Sequence, residues 1–310
     1  MNELPWTEHR LEGLEPDNLL AILALLGLLR ALETARPAWR PRVRWSLDEP
    51  PLRPVLVLRE KTEPATVAEA VAGGAAALAE AHQFDRKLLQ FTRDEAREFL
   101  QLSRENPGRA ELWAALISDG AVDETKGLVR KTPLNFLDVA QVAFLKTLAS
   151  VCDPACAPKR GIPRSIEDAC FRAWARKDKT LSFRWDPVED SRYAYRANAP
   201  TDEKQPVEHG ANVLASLGLQ SMVATPMSAP GGGRLNVRGV STRDGVEFWW
   251  PIWRPAASLA TIEALLDSAD QGEEPRARFG VEAVMVASRF APPGSKYRNI
   301  TPARPGSNPL

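Results

Sequence analysis

The sequence predicts an α+β fold, with a mostly helical part over residues 1–184 and a strand-rich part over residues 185–310 that carries short antiparallel strands. Leucine- and alanine-rich stretches at helical spacing dominate the first part. Short alternating stretches separated by glycine- and proline-rich turns dominate the second. With 310 residues, of which 44% are hydrophobic and 26% charged, the chain is long enough to bury a sizeable core.

The helical part opens with a predicted buried helix over Leu19–Leu32, capped by Asp17 or Asn18 and stopped by Pro37. Two strands joined by the turn "DEPP" are expected next, over residues 43–47 and 52–60. The following helix contains the pair Gly73–Gly74, which predicts a bend or a close backbone approach. Helical segments are predicted within residues 66–103 and then over residues 110–118, 135–150 and 165–176, the last with Ser165 as its cap.

The strand-rich part is predicted from four alternating stretches, one helix over residues 258–268 and an irregular tail from Ala291. In "EFWWPIW", Phe248, Trp250 and Ile252 alternate with Trp249. We therefore expect this strand to be buried on both faces, in one core with Trp253 and Leu28. The four stretches are "SRYAYRA" (191–197), "NVRGVST" (236–242), "EFWWPIW" (247–253) and "VEAVMVASRF" (281–290).

The formal net charge is zero, but its distribution along the chain is uneven. Residues 126–184 carry twelve Lys and Arg against five Asp and Glu, and residues 276–310 carry six against one. Basic segments on an otherwise acidic chain indicate a local face that binds polyanions. Solvated loops are the alternative interpretation. The glycine-rich "APGGGRL" reads as a hairpin connection or as a loop that contacts a nucleic-acid backbone through Arg234.

The sequence contains few candidate catalytic residues, and we expect no catalytic activity. The histidines, His9, His82 and His209, lie outside any nucleophile motif. A zinc site would need a distant fourth ligand beside the three cysteines, so free thiols are the preferred interpretation. Those cysteines are Cys152, Cys156 and Cys170.

The stretch "FRWDPVEDSRYAYR" places Asp186, Glu189 and Asp190 close together. Two-metal hydrolysis needs carboxylates that converge from rigid elements. Pro187 interrupts any helix that would align them, so we predict a structural turn with local pairs between these carboxylates and arginines, and no bound metal. A metal-dependent nuclease centred on the three carboxylates stays open as an alternative.

Several segments resemble a known family. They are "LEGLEPDNLLAILALLGLLRALE", "KTPLNFLDVAQVAFLKTL", "WDPVEDSRYAYR", "GANVLASLGL" and "EFWWPIWRPAASLATIEALL", in this order over residues 11–266. In order and combination they resemble the large subunits, in their short form, of the Cascade surveillance complex of type I-G (formerly I-U) CRISPR loci. The resemblance implies a non-enzymatic subunit that recognises the protospacer-adjacent motif on duplex DNA, helps to unwind it and recruits the helicase-nuclease.

The partners implied are CRISPR RNA, target double-stranded DNA, the Cascade backbone subunits and the helicase-nuclease, with no cofactor. An accessory protein that docks on the helicase-nuclease is a second alternative. The apolar run Leu19–Leu29 is too short to span a bilayer, so we expect no membrane contact. The odd count of three cysteines gives no disulfide framework, so we expect a location in the reducing cytoplasm. We predict that nucleic acid contacts Lys126, Arg130, Lys131, Lys159, Arg160, Arg164, Arg176, Lys177, Lys179 and Arg234, with the basic tail from Arg289 to Arg304 as the alternative face.

Overall fold

The computed structural model has the predicted α+β fold, with helices mostly in the N-terminal half and antiparallel sheets in the C-terminal half. None of the helices in the described part of the chain is long and apolar enough to cross a bilayer. The structure describes residues 6–84, 86–139, 142–189, 206–229, 232–243, 245–267, 277–291 and 298–306.

Helix α1 is the predicted first helix, and the Asn18 side chain caps it by accepting a hydrogen bond from the Leu20 amide. It is buried along almost its whole length, because other helices pack on several sides of it. The helices are α1 Leu19–Ala35, α2 Pro64–Ala79, α3 Arg93–Leu102, α4 Pro107–Leu116, α5 Phe144–Val151, α6 Gly161–Phe171, α7 His209–Gly218 and α8 Leu259–Asp267.

The strands form small antiparallel sheets. Their orders are β1-β3-β2, β5-β4-β9-β8 and β10-β11-β12-β13, with β14 also on β12, while β6 pairs with β7. The strands are β1 Thr7–Arg10, β2 Arg42–Trp45, β3 Pro54–Leu58, β4 Ile117–Asp123, β5 Leu128–Lys131, β6 Asp138–Val139, β7 Val142–Ala143, β8 Ala224–Ala229, β9 Gly232–Val237, β10 Val240–Ser241, β11 Val246–Trp253, β12 Val281–Phe290, β13 Asn299–Ile300 and β14 Arg304–Pro305.

Helices α1 and α7 pack closely against each other at two glycines, Gly27 of α1 and Gly218 of α7. A Cβ on Gly27 would lie 1.8 Å from the Leu214 carbonyl oxygen, and a Cβ on Gly218 would lie 2.0 Å from the Leu23 carbonyl oxygen. The two backbones therefore touch without side chains between them. Residues on both sides of position 185 share this core, and β4 pairs with β9 at Asp123 and Gly232.

The aromatic strand is largely buried, as predicted, although Trp249 on its second face is only half-buried. Phe248, Trp250, Ile252 and Trp253 are each at most 3% exposed and belong to the same core as Leu28. Buried indoles need an acceptor for their N–H group. The Trp250 Nε1 donates to the Pro16 carbonyl at 2.9 Å, and the Trp253 Nε1 donates to the Val43 carbonyl at 2.8 Å. Strand β11 thereby joins the C-terminal sheet to the N-terminal part of the chain.

The helix predicted over residues 135–150 is wrong in its first half. Residues Asp138–Val139 and Val142–Ala143 form the β6–β7 pair instead, and α5 starts only at Phe144. Side chains before the hairpin compete with a helix for its backbone amides: the Thr132 hydroxyl accepts from the Leu134 amide, and the Asn135 side chain accepts from the Leu137 amide.

Helix α6 starts at Gly161 and ends at Phe171, about four residues before each predicted boundary. Ser165 therefore lies inside the helix, where its hydroxyl donates to the Gly161 carbonyl rather than capping the start. At the other end, the Trp174 indole donates to the Ala169 carbonyl, which replaces the next turn of helix.

Helix α7 is absent from the sequence prediction, which placed only one helix after Asp186. All ten of its residues are buried, including His209, Asn212 and Ser216. A helix that is covered on every side shows little contrast between an apolar and a polar face. The tail after Ala291, predicted as irregular, contributes the short strands β13 and β14 to the C-terminal sheet.

Replacing Gly27 with alanine is expected to destabilise the protein by about 1–3 kcal/mol or more, because α1 and α7 must separate to admit the methyl group. The close partner is a backbone carbonyl, which cannot rotate away as a side chain could. Urea unfolding followed by circular dichroism measures this change.

Gly73→Ala is the matched control. Gly73 is also a glycine inside a helix, but a Cβ there would have no atom within 4 Å. It should stabilise the protein by roughly 0.5–1 kcal/mol, the usual helix preference for alanine over glycine. Equal effects of the two substitutions would contradict the close crossing of α1 and α7.

Candidate nucleic-acid interface

A groove of about 610 Å³ lies between the β4–β5 hairpin, strand β9 and the end of strand β12. Its cationic side chains come from four separate parts of the chain, which the fold brings together. Among the described residues that line it, Asp123 is the one carboxylate. The cationic lining residues are Lys126, Arg130, Lys131, Arg234, Arg289 and Arg298.

The turn between β4 and β5 presents Lys126 at one end of this groove. The Asp123 side chain accepts hydrogen bonds from the amides of Thr125 and Lys126, at 3.2 and 3.4 Å. The Asp123 carbonyl also accepts from the Gly127 amide at 2.8 Å. This pattern, typical of an aspartate that starts a turn, holds the loop in one conformation and leaves the Lys126 side chain exposed.

Arg130 ties the two strands of one wall together. Its Nε donates to the Gly233 carbonyl on β9 at 2.7 Å, and its Nη1 lies 3.5 Å from the Asp123 carboxylate. The side chain is half-buried. Since both contacts hold its guanidinium against the sheet, Arg130 fixes the spacing of β5 and β9 as well as adding charge.

Two arginines from the C-terminal segment also line the groove, and a backbone carbonyl anchors each of them. The Arg289 Nη1 donates to the Pro133 carbonyl at 2.7 Å, and its guanidinium lies 5.8 Å from the centre of the Phe136 ring. The Arg298 Nη1 donates to the Asn135 carbonyl at 3.1 Å. Part of the basic tail that the sequence offered as an alternative face therefore lines the same groove as Arg130.

Lys126 and Arg234 differ from these anchored arginines. Both side chains are exposed, and within the described ranges neither forms an ion pair. Exposed cations that face few carboxylates create a positive potential that attracts anions. These two residues are therefore the members of the groove best placed to meet a phosphate.

Among the remaining predicted residues, Arg160 is surrounded by three acidic side chains. They are Asp168, Asp178 and Glu208. The Arg160 guanidinium donates two hydrogen bonds to the Asp178 carboxylate, at 2.6 and 2.7 Å. Its Nε lies 3.2 Å from Asp168 without hydrogen-bond geometry, and Nη2 lies 3.9 Å from Glu208. Asp178 and Glu208 are almost fully buried, so Arg160 neutralises charges inside the fold.

Arg176 has a similar place beside the acidic stretch. Its Nε donates to the Asp186 carboxylate at 2.7 Å, and its amide donates to Glu208 at 3.3 Å. The backbone of Arg176 adopts a φ of 46°, a left-handed conformation that is uncommon outside glycine. These contacts hold the residue in that conformation, which indicates a structural role.

The described carboxylates of the acidic stretch, Asp186 and Glu189, are buried. Asp186 is 2% exposed and accepts a hydrogen bond from Asn18, the residue that caps α1, at 3.1 Å. Residues Pro187–Glu189 form a short 3-10 turn, in agreement with the predicted structural turn. The pairs predicted between these carboxylates and nearby arginines involve Asp190 and later residues, and residues 190–205 lie outside the described part of the chain.

Glu189 is buried, and the Ser182 hydroxyl donates to its carboxylate. Burial, and next the charge of Asp186, raise the pKa of Glu189 to about 8, so the side chain is largely protonated at neutral pH. In the described part of the chain, no three His, Cys, Asp or Glu side chains are grouped as a metal site would require.

The other predicted cations lie outside the groove. Arg164 pairs with Glu167 at 2.7 Å, and Lys177 lies 3.6 Å from Asp168. Lys159 and Lys179 are exposed. The structure thus brings together Lys126, Arg130, Lys131 and Arg234 of the predicted set, and places Lys159, Arg160, Arg164, Arg176, Lys177 and Lys179 elsewhere.

The histidines and cysteines are mainly interior residues. Burial lowers the pKa of His82 and of His209 to about 4, so both imidazoles are neutral at pH 7. Burial also raises the pKa of the Cys170 thiol to about 12 and that of Cys152 to about 11. Cys156 is exposed.

Sequence analysis identified the basic segments but not the residues that their arginines contact. The excess of basic residues over 276–310 was visible, but nothing in the sequence indicated that Arg289 and Arg298 meet the β4–β5 hairpin. Equally, Asp178 and Glu208 are 30 positions apart, and only the fold places both beside Arg160.

The search of protein-family models found no match to this chain, and no curated protein matches it.

Arg160→Met is expected to lower the free energy of unfolding at pH 7 by on the order of 3 kcal/mol, because it leaves Asp178 and Glu208 buried without their cation. Lys159→Ala, at the adjacent exposed position, should leave stability unchanged. Guanidinium unfolding of both variants measures the difference.

The loss in Arg160→Met should shrink as the pH falls from 7 to 5. Burial raises the pKa of Glu208 and the nearby Arg160 cation lowers it, so removing Arg160 moves the folded-state pKa of Glu208 further above its unfolded value. The penalty is therefore present above the folded pKa and disappears as the pH falls to the unfolded pKa. A loss that is equal at both pH values would show that Arg160 acts through packing alone.

Proposed function

We propose that this chain is a non-catalytic subunit that binds nucleic acid, namely the large subunit of a type I CRISPR RNA-guided surveillance complex. The observation that carries the binding proposal is the groove, where six cationic side chains meet one carboxylate. Nucleic-acid affinity depends mainly on cations that neutralise phosphates and release their counterions. A groove with this charge balance on a chain of zero net charge concentrates that attraction in one place.

Contacts between the segments that carry the family resemblance support the finer proposal. The "KTPLNF" segment contributes Thr132, Pro133 and Asn135 to the groove. The indole of Trp185, from the "WDPVEDSRYAYR" segment, donates to the Leu134 carbonyl at 2.9 Å. Two of the resembling segments are therefore in direct contact, and one of them lines the groove.

The resemblance supplies the remaining roles. CRISPR RNA, the backbone subunits, target duplex DNA and the helicase-nuclease would be the partners, and recognition of the protospacer-adjacent motif would be the task. In RNA-guided systems base pairing reads the target sequence, while the protein reads a short motif and the shape of the backbone. A subunit whose cations face phosphates fits this division of work, in a cytoplasmic complex.

Two alternatives are separable by experiment. An accessory protein of the helicase-nuclease would copurify with that enzyme alone, whereas the proposed subunit copurifies with CRISPR RNA and a backbone subunit. A metal-dependent nuclease would use the acidic stretch, but Asp186 is committed to Arg176 and Asn18. That commitment favours the non-catalytic proposal.

Lys126→Ala and Arg234→Ala are expected to weaken target-DNA binding by the assembled complex for all sequences alike. Each should lower the slope of log affinity against log salt by roughly one unit, because each removes one phosphate contact. Filter binding across a salt series measures the slope, with Lys159→Ala and Lys179→Ala as controls of equal charge change. The proposal for the groove fails if the groove variants and the control variants give the same slope as the wild type.

Purified protein incubated with DNA or RNA and Mg²⁺ or Mn²⁺ is expected to leave the substrate intact, because Asp186 is paired with Arg176 and Glu189 is buried. Gel electrophoresis of labelled strands shows the outcome. Metal-dependent cleavage that disappears in Asp190→Ala would instead establish the nuclease alternative.

A further inference from the structure

The N-terminal sheet carries a second group of cations at one of its ends. Strands β1 and β2 begin where β3 ends, because both of them run antiparallel to β3. The segment between α1 and β2 reaches the same end, since the Arg59 amide donates to the Trp39 carbonyl at 2.7 Å. None of the side chains at this end is among the described residues that line the groove. We call them the Trp–Arg face, and they are Trp6, Arg36, Trp39, Arg40, Arg42 and Arg59.

Two tryptophans lie among the arginines of this face. The Arg42 guanidinium lies 5.9 Å from the centre of the Trp6 ring, and the Arg36 guanidinium lies 6.0 Å from the centre of the Trp39 ring. Trp6 is 49% exposed, and Trp39 is half-buried. Tryptophan and arginine are enriched among the residues that contribute most to protein–protein affinity. An exposed face built from them is therefore typical of a protein interface.

The arginines of the face have no ionic partner inside the fold. Three of the four are exposed and the fourth, Arg59, is half-buried, and within the described ranges none of them forms an ion pair. Their neighbour Arg44 differs, because its guanidinium pairs with Glu8 at 2.7 Å. The charge of the face is therefore available to an anion from outside.

The backbone of Arg40 gives a separate indication. Arg40 has a φ of 48°, in the left-handed region that favours glycine. Arg176 has a similar φ, but there the Asp186 carboxylate binds the side chain. The Arg40 side chain has no such partner among the described residues. An arginine kept in a strained conformation without a contact in the fold points to a contact outside it.

Carboxylates lie around the face, and they favour a short anionic segment over a long polyanion. They are Glu8 on β1, Glu60 beside Arg59, and Glu69 on α2. A DNA duplex carries one charge for about every 1.7 Å of its axis, so a duplex that crosses the face would bring phosphates beside these carboxylates. A protein segment can place a few carboxylates beside the arginines and uncharged residues beside the glutamates.

A hollow of about 250 Å³ adjoins the face between the end of α1 and helix α2. Arg36 and Trp39 belong to its lining, together with Ala35, Ala70 and Gly73. A Cβ on Gly73 would have no atom within 4 Å, so this side of the hollow is open. The hollow can accept one apolar side chain from a molecule that contacts the arginines.

From these observations we infer that the Trp–Arg face is a docking surface for a partner protein, which presents a short acidic segment with an apolar side chain. The carboxylates of the segment pair with the arginines, and its apolar side chain enters the hollow beside Trp39. This protein contact goes beyond the nucleic-acid contact of the proposed function and does not depend on it.

Fluorescence anisotropy with the full-length chain tests the inference. The probe is a labelled twelve-residue peptide of four Glu-Asp-Leu repeats, and a labelled twelve-nucleotide dT strand reports nucleic-acid binding. Arg40→Ala/Arg42→Ala is expected to lose about fivefold or more in peptide affinity, because two ion pairs with the peptide are lost, and to keep its dT affinity. Arg93→Ala/Arg104→Ala removes two exposed arginines near the ends of α3 and should keep both affinities. Circular dichroism checks that both variants are folded.

A second peptide with Ala in place of every Leu tests the hollow. The wild type should bind the Leu peptide about threefold or more tightly than the Ala peptide, because the larger side chain buries more apolar surface. Gly73→Gln places a side chain in the hollow and should remove this difference. Equal binding of the two peptides by the wild type contradicts the inference.

Other results would also overturn it. One is peptide affinity that survives Arg40→Ala/Arg42→Ala, or that is lost in the groove variant Lys126→Ala/Arg234→Ala instead. Another is the absence of wild-type binding at about 1 mM peptide. A loss of dT affinity in Arg40→Ala/Arg42→Ala as large as the loss of peptide affinity would make the face a nucleic-acid surface. Each of these results leaves the proposed function of the groove to its own variants.

Discussion

The crossing of α1 and α7 is the contact on which the other parts of the fold depend. Gly27 and Gly218 let the two backbones touch, so α1 is enclosed and its leucines become the centre of one core. Asn18 at the start of α1 binds Asp186, and Asp186 in turn binds Arg176. At the other end of α7, the chain continues into the β8–β9 hairpin, which completes the sheet beside the groove. The helical core thereby sets the position of the proposed binding surface.

Basic residues serve two separate purposes in this molecule. Arg160 and Arg176 face carboxylates that are almost fully buried, and removing such a cation costs stability before it could affect a ligand. Lys126 and Arg234 are exposed and face few acidic groups, so their charge is available to an anion. The local density of Lys and Arg in a sequence cannot separate these purposes, because the difference lies in the partner and in the burial of each pair.

The sequence predicted those elements whose signals are local. Asn18 before a leucine-rich run indicated α1, and the alternation around Trp250 indicated a buried strand, since both depend on neighbouring residues. Helix α7 was missed because a helix buried on all sides shows no apolar stripe. The β6–β7 pair was missed because Thr132 and Asn135 bond to nearby amides and stop a helix that the apolar spacing favours.

The sequence alone therefore determined the α+β class, the core helix, the aromatic strand and the uneven distribution of charge. Tertiary structure alone decided which cations share a surface, since Arg130, Arg234 and Arg289 are far apart in the chain and meet only through sheet pairing and contacts to backbone carbonyls. It also decided that Asp186 supports a helix cap. Hydrophobic periodicity indicates which residues are buried. The role of a charged side chain depends instead on the groups that it contacts, and in this fold those groups come from distant parts of the sequence.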